Sequence, residues 1–97
     1  MKLDILTPQK TFFSGEVDSV TLPGSLGVFT ILPDHAPMIS SLRSGGDISY
    51  AYGNKRDTIV IAGGFVEVWK NRITICTDIL EKTPEKTAVA PEPKKQP

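Results

Sequence analysis

The chain has 97 residues, 39% of them apolar and 23% charged, with 11 basic residues balanced by 11 acidic ones. That length holds one domain, and zero net charge sets up no long-range field to attract nucleic acid or an anionic bilayer. A single cysteine, Cys76, excludes an intramolecular disulfide, and no stretch approaches the roughly 20 apolar residues of a membrane-spanning helix. Met1 to Gln9 has no signal-peptide core, so the expectation is a chain made and kept in the cytoplasm.

In chain order the pattern is that of strands. Leu3 to Thr7 reads as a strand stopped by Pro8. Phe12 to Leu22 reads as one strand with a bulge or bend, because apolar parity slips between Val17 and Val20. Pro23-Gly24 signals a turn, Val28 to Leu32 a short strand ended by Pro33, and Met38 to Leu42 another. Gly45-Gly46 marks a break. Ile48, Tyr50 and Tyr52 alternate on one face and pair through a Gly53-Asn54 hairpin with Thr58 to Ala62. Gly63-Gly64 interrupts that run, and Phe65 to Trp69 returns through Lys70-Asn71-Arg72 to Ile73 to Thr77. Short strands with turn signals every 8 to 12 residues predict an all-β, flattened two-sheet sandwich of about ten short strands. The sandwich is expected over residues 1–82. Residues 83–97, with Pro84, Pro91, Pro93 and Pro97 and one large apolar side chain (Val89), are expected to form a flexible tail, after a helical turn near Ile79 to Lys82.

No catalytic constellation emerges. His35 is the sole histidine, and pairing it with Cys76 would be the one route to an activated nucleophile. One His and one Cys fall short of a zinc site. Asp4, Glu16 and Asp18 read as a solvated edge. The glycine pairs lack the flanking residues of a phosphate cradle. Cofactors and metals are therefore not expected. The segment from Pro23 to Arg43 stands out, since it combines prolines and glycines with Leu26, Phe29 and Met38. A preshaped contact surface and a loop tucked into the end of the sandwich explain it equally.

Leu22-Pro23-Gly24-Ser25, Gly27 and Leu32-Pro33-Asp34-His35-Ala36-Pro37-Met38 resemble the signature loop of the epsilon subunit of F-type ATP synthases. Leu3 to Pro8, Phe13 to Val17, Ile61 to Val68 and Ile73 to Ile75 resemble further family segments in the same order. The resemblance implies a non-catalytic piece of the central stalk. Its implied partners are the gamma subunit and the polar loops of the membrane c-ring, coupling proton flow to ATP synthesis from the cytoplasmic face of the bacterial inner membrane, without insertion. By the same resemblance Thr7 and His35 would meet gamma. Ser25, Leu26, Gly27, Val28, Phe29, Thr30 and Ile31 would face the ring, flanked by Met38 to Arg43. Many members carry an acidic residue where this chain has Val28, and glycine where it has Thr30 or Asp34. Members usually continue into two antiparallel helices, which in some species bind ATP. Here 17 residues follow Leu80 and three internal prolines interrupt them, so neither a helical hairpin nor ATP binding is expected. A stand-alone β-sandwich adaptor, with a pocket lined by Tyr50, Tyr52 or Trp69, and a Cys76-dependent enzyme are the rival readings.

Overall fold

The computed structural model describes the backbone of residues 1–87 and the side chains of residues 1–82. Among these, seven strands are formed: β1 (Lys2–Leu6), β2 (Thr11–Glu16), β3 (Ser19–Gly24), β4 (Gly27–Ile31), β5 (Met38–Tyr52), β6 (Lys55–Trp69) and β7 (Arg72–Thr87). They hydrogen-bond in the order β2-β1-β7-β6-β5-β3-β4. All neighbours are antiparallel except β1 and β7.

This continuous ladder folds over on itself. β5 bends at the register shift between Ser44 and Asp47, and β6 and β7 bend where Ile61–Gly64 faces Thr77–Ile79. One layer is β2-β1 with the first part of β7, the second part of β6 and the first part of β5. The other is β4-β3 with the remaining parts of those three strands. Closure is visible in the aromatic contacts: Phe13 on edge strand β2 lies 4.6 Å from the Tyr50 ring on β5, although three strands separate them in the ladder. Each of the three long strands therefore serves both layers. That is why the expected ten short strands are seven continuous ones.

Inward residues from both layers form one core. Leu3, Ile5, Leu42, Val66, Val68, Ile73 and Ile75 meet Val20, Leu22, Ile31, Ile48, Tyr50, Ile59 and Ile61, all buried. The bend in β6 explains how one strand supplies both sets. Inward positions are odd from Asp57 to Gly63 and even from Val66 onward. One inserted residue reverses the side chains' facing.

Gly64 makes that bend possible. Its φ is +117°, and a Cβ there would collide with the Cys76 carbonyl oxygen. The Thr77 hydroxyl donates to the Gly63 carbonyl and closes the bulge. Gly63-Gly64 and Gly45-Gly46 are thus bends within strands rather than strand ends.

Three other expectations change. Phe12 to Leu22 is two strands in opposite layers, and the parity slip marks the corner at Val17-Asp18, where the Asp18 amide donates to Ala51 at 2.7 Å. Pro23-Gly24 closes β3, while the turn itself is Ser25-Leu26. No helical turn forms at Ile79 to Lys82, since β7 continues through them beside β6 to Thr87. The expected tail thus starts within β7; its remaining residues, 88–97, lie outside the described residues.

Beneath Phe13, Tyr50 and Tyr52 lies a buried carboxylate. Asp57 Oδ2 accepts from the Tyr52 hydroxyl at 2.9 Å, while Oδ1 has no hydrogen-bond partner among the described residues. Burial, and then the neighbouring Asp57 charge, push the Tyr50 phenol well above its usual range.

Candidate functional site

Two surfaces carry the nominated residues. The first is the tip of the β3–β4 hairpin. A Cβ on Gly24 would sit 2.7 Å from both the Gly27 carbonyl and the Phe29 ring, so the strands approach closely there only because residue 24 is glycine. The tip is tied to β5: the Ser25 amide donates to Ser41 O at 3.1 Å and the two hydroxyls lie 3.0 Å apart. The structure therefore brings the hairpin loop and the Met38 to Arg43 segment together. Leu26 is fully exposed and Val28 is 66% exposed, giving the tip an apolar end. Phe29 and Met38 are half-buried against the core. Ser25, Gly27, Thr30 and Arg43 are exposed. Ile31 is not part of this surface. It points inward with no accessible area, because alternation along β4 puts Phe29 and Ile31 on the core side and Val28 and Thr30 outside.

The second surface is the outer face of the β2-β1-β7-β6-β5 layer. Strand pairing arranges it in cross-strand rows. One row is Ile39, Glu67, Thr74, Asp4 and Ser14; the next is Ser41, Phe65, Cys76 and Leu6; a third is Trp69, Arg72, Lys2 and Glu16. Ile39, Trp69 and Phe65 are 74%, 55% and 49% exposed. A solvated sheet face ordinarily alternates polar residues against the buried ones, and large apolar groups clustered there mark an interaction surface.

Thr7 and His35 lie at opposite ends of this face and do not meet. Thr7 follows β1; its hydroxyl donates to Lys10 O at 2.9 Å and accepts the Lys10 amide at 3.2 Å. It borders an open groove of about 450 Å³ with Leu6, Pro8, Gly63, Gly64 and Cys76. His35 lies on the β4–β5 loop, where the Asp34 amide donates to Asn71 Oδ1 at 2.9 Å. Asn71 O also accepts the Lys2 amide at 3.1 Å, so His35 is anchored beside the start of β1. The span from Lys2 to Thr7 is roughly 17 Å at strand rise. His35 Nδ1 faces the Ala36 carbonyl at 2.8 Å. A carbonyl can only accept, so Nδ1 is the donor in this contact.

On the polar side of the face Asp4 is paired. Arg72 donates to Asp4 Oδ2 through Nε and a terminal nitrogen at 3.2 and 3.1 Å, and the Ser14 hydroxyl donates to Oδ1 at 2.7 Å. The Ser14 bond, then Arg72 and Lys2, hold the Asp4 carboxyl below the usual carboxylate range against the opposing pull of partial burial.

The geometry speaks against the thiol enzyme. Cys76 lies beside Leu6, toward the Thr7 end, whereas His35 is held near Asn71 at the other end, so the thiol–imidazole pair does not form. Of the aromatics named for a pocket, Tyr50 and Tyr52 stack inside the sandwich at 6.1 Å, while Trp69 projects outside and walls an open groove. Among the described residues no group of three His, Cys, Asp or Glu side chains could hold a metal.

Sequence reasoning missed Phe65 and Glu67 as surface residues, named Ile39 only within the Met38 to Arg43 segment and Trp69 only for a rival pocket. The available signal was Phe65-Val66-Glu67-Val68-Trp69, a strand apolar on both faces. One face fills the core, and the other needs a second reason.

A β-sandwich with a packed interior and clustered apolar groups on its outer surfaces is of the class of domains that dock on other proteins. Residues 1–83 match the family described as ATP synthase, Delta/Epsilon chain, beta-sandwich domain, and the chain belongs to that family. It is 47% identical over 76 residues to an ATP synthase epsilon chain of Chlorobaculum tepidum, covering 78% of this chain and 86% of that one. It is 42% identical over 78 residues to one of Leptospira interrogans, covering 80% of this chain and 61% of the relative. A Euglena gracilis mitochondrial ATP synthase structure, comprising OSCP, F1 and c-ring, contains a chain matching at TM-score 0.74 and 27% identity, over 84% of this chain and 51% of that one. A Tetrahymena thermophila chain shares the fold at TM-score 0.66 and 15% identity. Family membership makes this a structural or regulatory subunit and not an enzyme.

Proposed function

We propose that this chain is the epsilon-type central-stalk subunit of a proton-translocating F-type ATP synthase. It clamps the gamma subunit and rests on the polar loops of the c-ring, so that rotation is transmitted between membrane and catalytic head. The outer face between Thr7 and His35 is the gamma-docking surface, and the Ser25 to Thr30 hairpin tip, with Met38 and Arg43 beside it, is the ring contact. The observation that carries this reading is the presence of two separate exposed apolar surfaces on one rigid scaffold: Phe65, Ile39 and Trp69 on the sheet face, and Leu26 with Val28 on the hairpin tip. A torque-transmitting piece needs two partners at once, and each surface supplies one desolvatable patch. The Euglena neighbour, named as part of an assembly with a c-ring, and the bacterial relatives support this placement. The subunit is peripheral, and its location on the cytoplasmic face of the bacterial inner membrane follows from the same reading.

Calorimetric titration of the chain into its cognate gamma subunit tests it. One-to-one binding, weakened by His35→Ala and by Phe65→Ser but not by Leu26→Asp, is the expected result. Leu26→Asp should instead weaken ATP synthesis driven by proton flow in the reconstituted enzyme. A folded chain that does not bind gamma would overturn the reading.

A further inference from the structure

Among the described residues, Glu67 is the one acidic residue on the outer face without an ion pair. Phe65 and Trp69 flank it along β6, Ile39 faces it from β5 and Thr74 from β7. It closes one side of an open groove of about 380 Å³ whose other walls are Pro37, Met38, Ile39, Val68 and Trp69. The cations nearest it among the described residues are engaged elsewhere. Arg72 is bonded to Asp4 at 3.1 Å, with Lys2 4.0 Å from the same carboxylate. The Lys70 ammonium lies over the Trp69 ring, 5.5 Å from its centroid. The other acids on this face are paired, Asp4 with Arg72 and Glu16 with the N-terminal amine at 2.9 Å.

We propose that Glu67 is the charge-selective anchor of this groove, and that the occupant is a partner-subunit segment presenting an arginine or lysine to Glu67 beside an apolar side chain. The proposal rests on the reading of this face as an interface. A purely apolar occupant would strip water from the carboxylate and leave it unpaired, a cost that exceeds what the neighbouring apolar contacts supply. A basic residue converts that penalty into selectivity, because a partner lacking the cation is rejected. An arginine fits best, since its planar head can bond the carboxylate while lying against the Trp69 edge.

The test uses the full chain and its cognate gamma subunit, with binding kinetics measured from low to high salt. Glu67 is exposed, so its substitutions leave the fold intact, and circular dichroism verifies this. Glu67→Gln should weaken binding roughly tenfold and flatten its salt dependence, and Glu67→Lys should weaken it about 100-fold. One gamma variant with a basic residue reversed to Glu should restore binding to Glu67→Lys. Unchanged affinity for Glu67→Gln, with Phe65→Ser still losing binding, would overturn the anchor while leaving the interface intact. Unchanged affinity for all variants, Phe65→Ser included, would show that the face itself is not the interface. A chain that dimerises through this face when alone, with the dimer lost in Phe65→Ser, would make the occupant a second copy and overturn the proposal.

Discussion

The three long strands carry two outer faces of opposite character, divided by the bends at Gly45-Gly46 and Gly63-Gly64. On one side of the bends, β6 shows Phe65, Glu67 and Trp69 to the outside. On the other, a cross-strand row of small hydroxyl residues runs from Thr30 through Thr21 and Ser49 to Thr58. That row satisfies itself: the Thr21 and Thr30 hydroxyls lie 2.9 Å apart, and Arg56 donates to Ser49 Oγ at 3.1 Å. The same strands, with the same core beneath, thus present one face with a self-satisfied hydroxyl row, where Val28 and Leu80 are the large apolar groups left exposed, and one face where Ile39, Phe65 and Trp69 cluster. Burial explains the inward residues of both halves, so the contrast isolates what packing does not require, and the clustered apolar face is the one whose outward residues call for a partner.

Removing the bend should have the largest effect. Gly64→Val places a Cβ against the Cys76 carbonyl at a φ of +117°, and the expected loss is about 4 kcal/mol, enough to unfold much of so small a domain. Urea denaturation checks this. A fully stable Gly64→Val chain would mean that the bend does not depend on glycine. Next is the interior beneath the hydroxyl face. Tyr52→Phe deprives the buried Asp57 carboxylate of its donor at 2.9 Å, and the denaturation midpoint should report about 1–3 kcal/mol lost.

The two faces themselves should separate function from stability. Phe65→Ser and Trp69→Ser should leave folding within about 0.5 kcal/mol while weakening gamma binding. The double change Thr21→Val and Thr30→Val should leave binding untouched. If the hydroxyl row proved the more sensitive to binding, the assignment of the faces would reverse. The smallest effect concerns Asp4. Its folded pKa is depressed, so its contribution is full above the ordinary aspartate value of 3.8 and is lost as pH falls below it. Being on the surface, the contribution should stay within about 1 kcal/mol. Asp4→Asn should flatten that part of the acid-denaturation curve and leave neutral stability only slightly lower.

Much of this was legible in the chain. Alternation at Ile48, Tyr50 and Tyr52 and at Ile73 and Ile75 reports inward faces directly, and the Lys70-Asn71 hairpin turn has the positive φ values, 50° and 63°, that a two-residue hairpin loop requires and Asn71 readily adopts. The parity slip between Val17 and Val20 was visible, but a slip reads the same for a bulge and for a chain crossing between layers. The glycine pairs likewise signal a break, and only the register across β7 distinguishes an end from a bend. Of the candidate surfaces, the hairpin tip was legible in part, because Leu26 sits among turn residues, whereas Phe29 and Met38, read with it, pack against the core. Ile31 was misplaced by reading the loop as a block instead of by its alternation. Phe65 and Glu67 escaped, as did their grouping with Ile39 and Trp69, because the four converge only when β5, β6 and β7 are set in register.

Hydroxyl-radical footprinting of the chain, free and bound to its cognate gamma subunit, tests the central claim most directly. The account predicts that Ile39, Phe65 and Trp69 lose reactivity on binding, while Val60 on the hydroxyl-bearing side is unchanged. Protection of Val60 with Phe65 and Trp69 still fully reactive would contradict it.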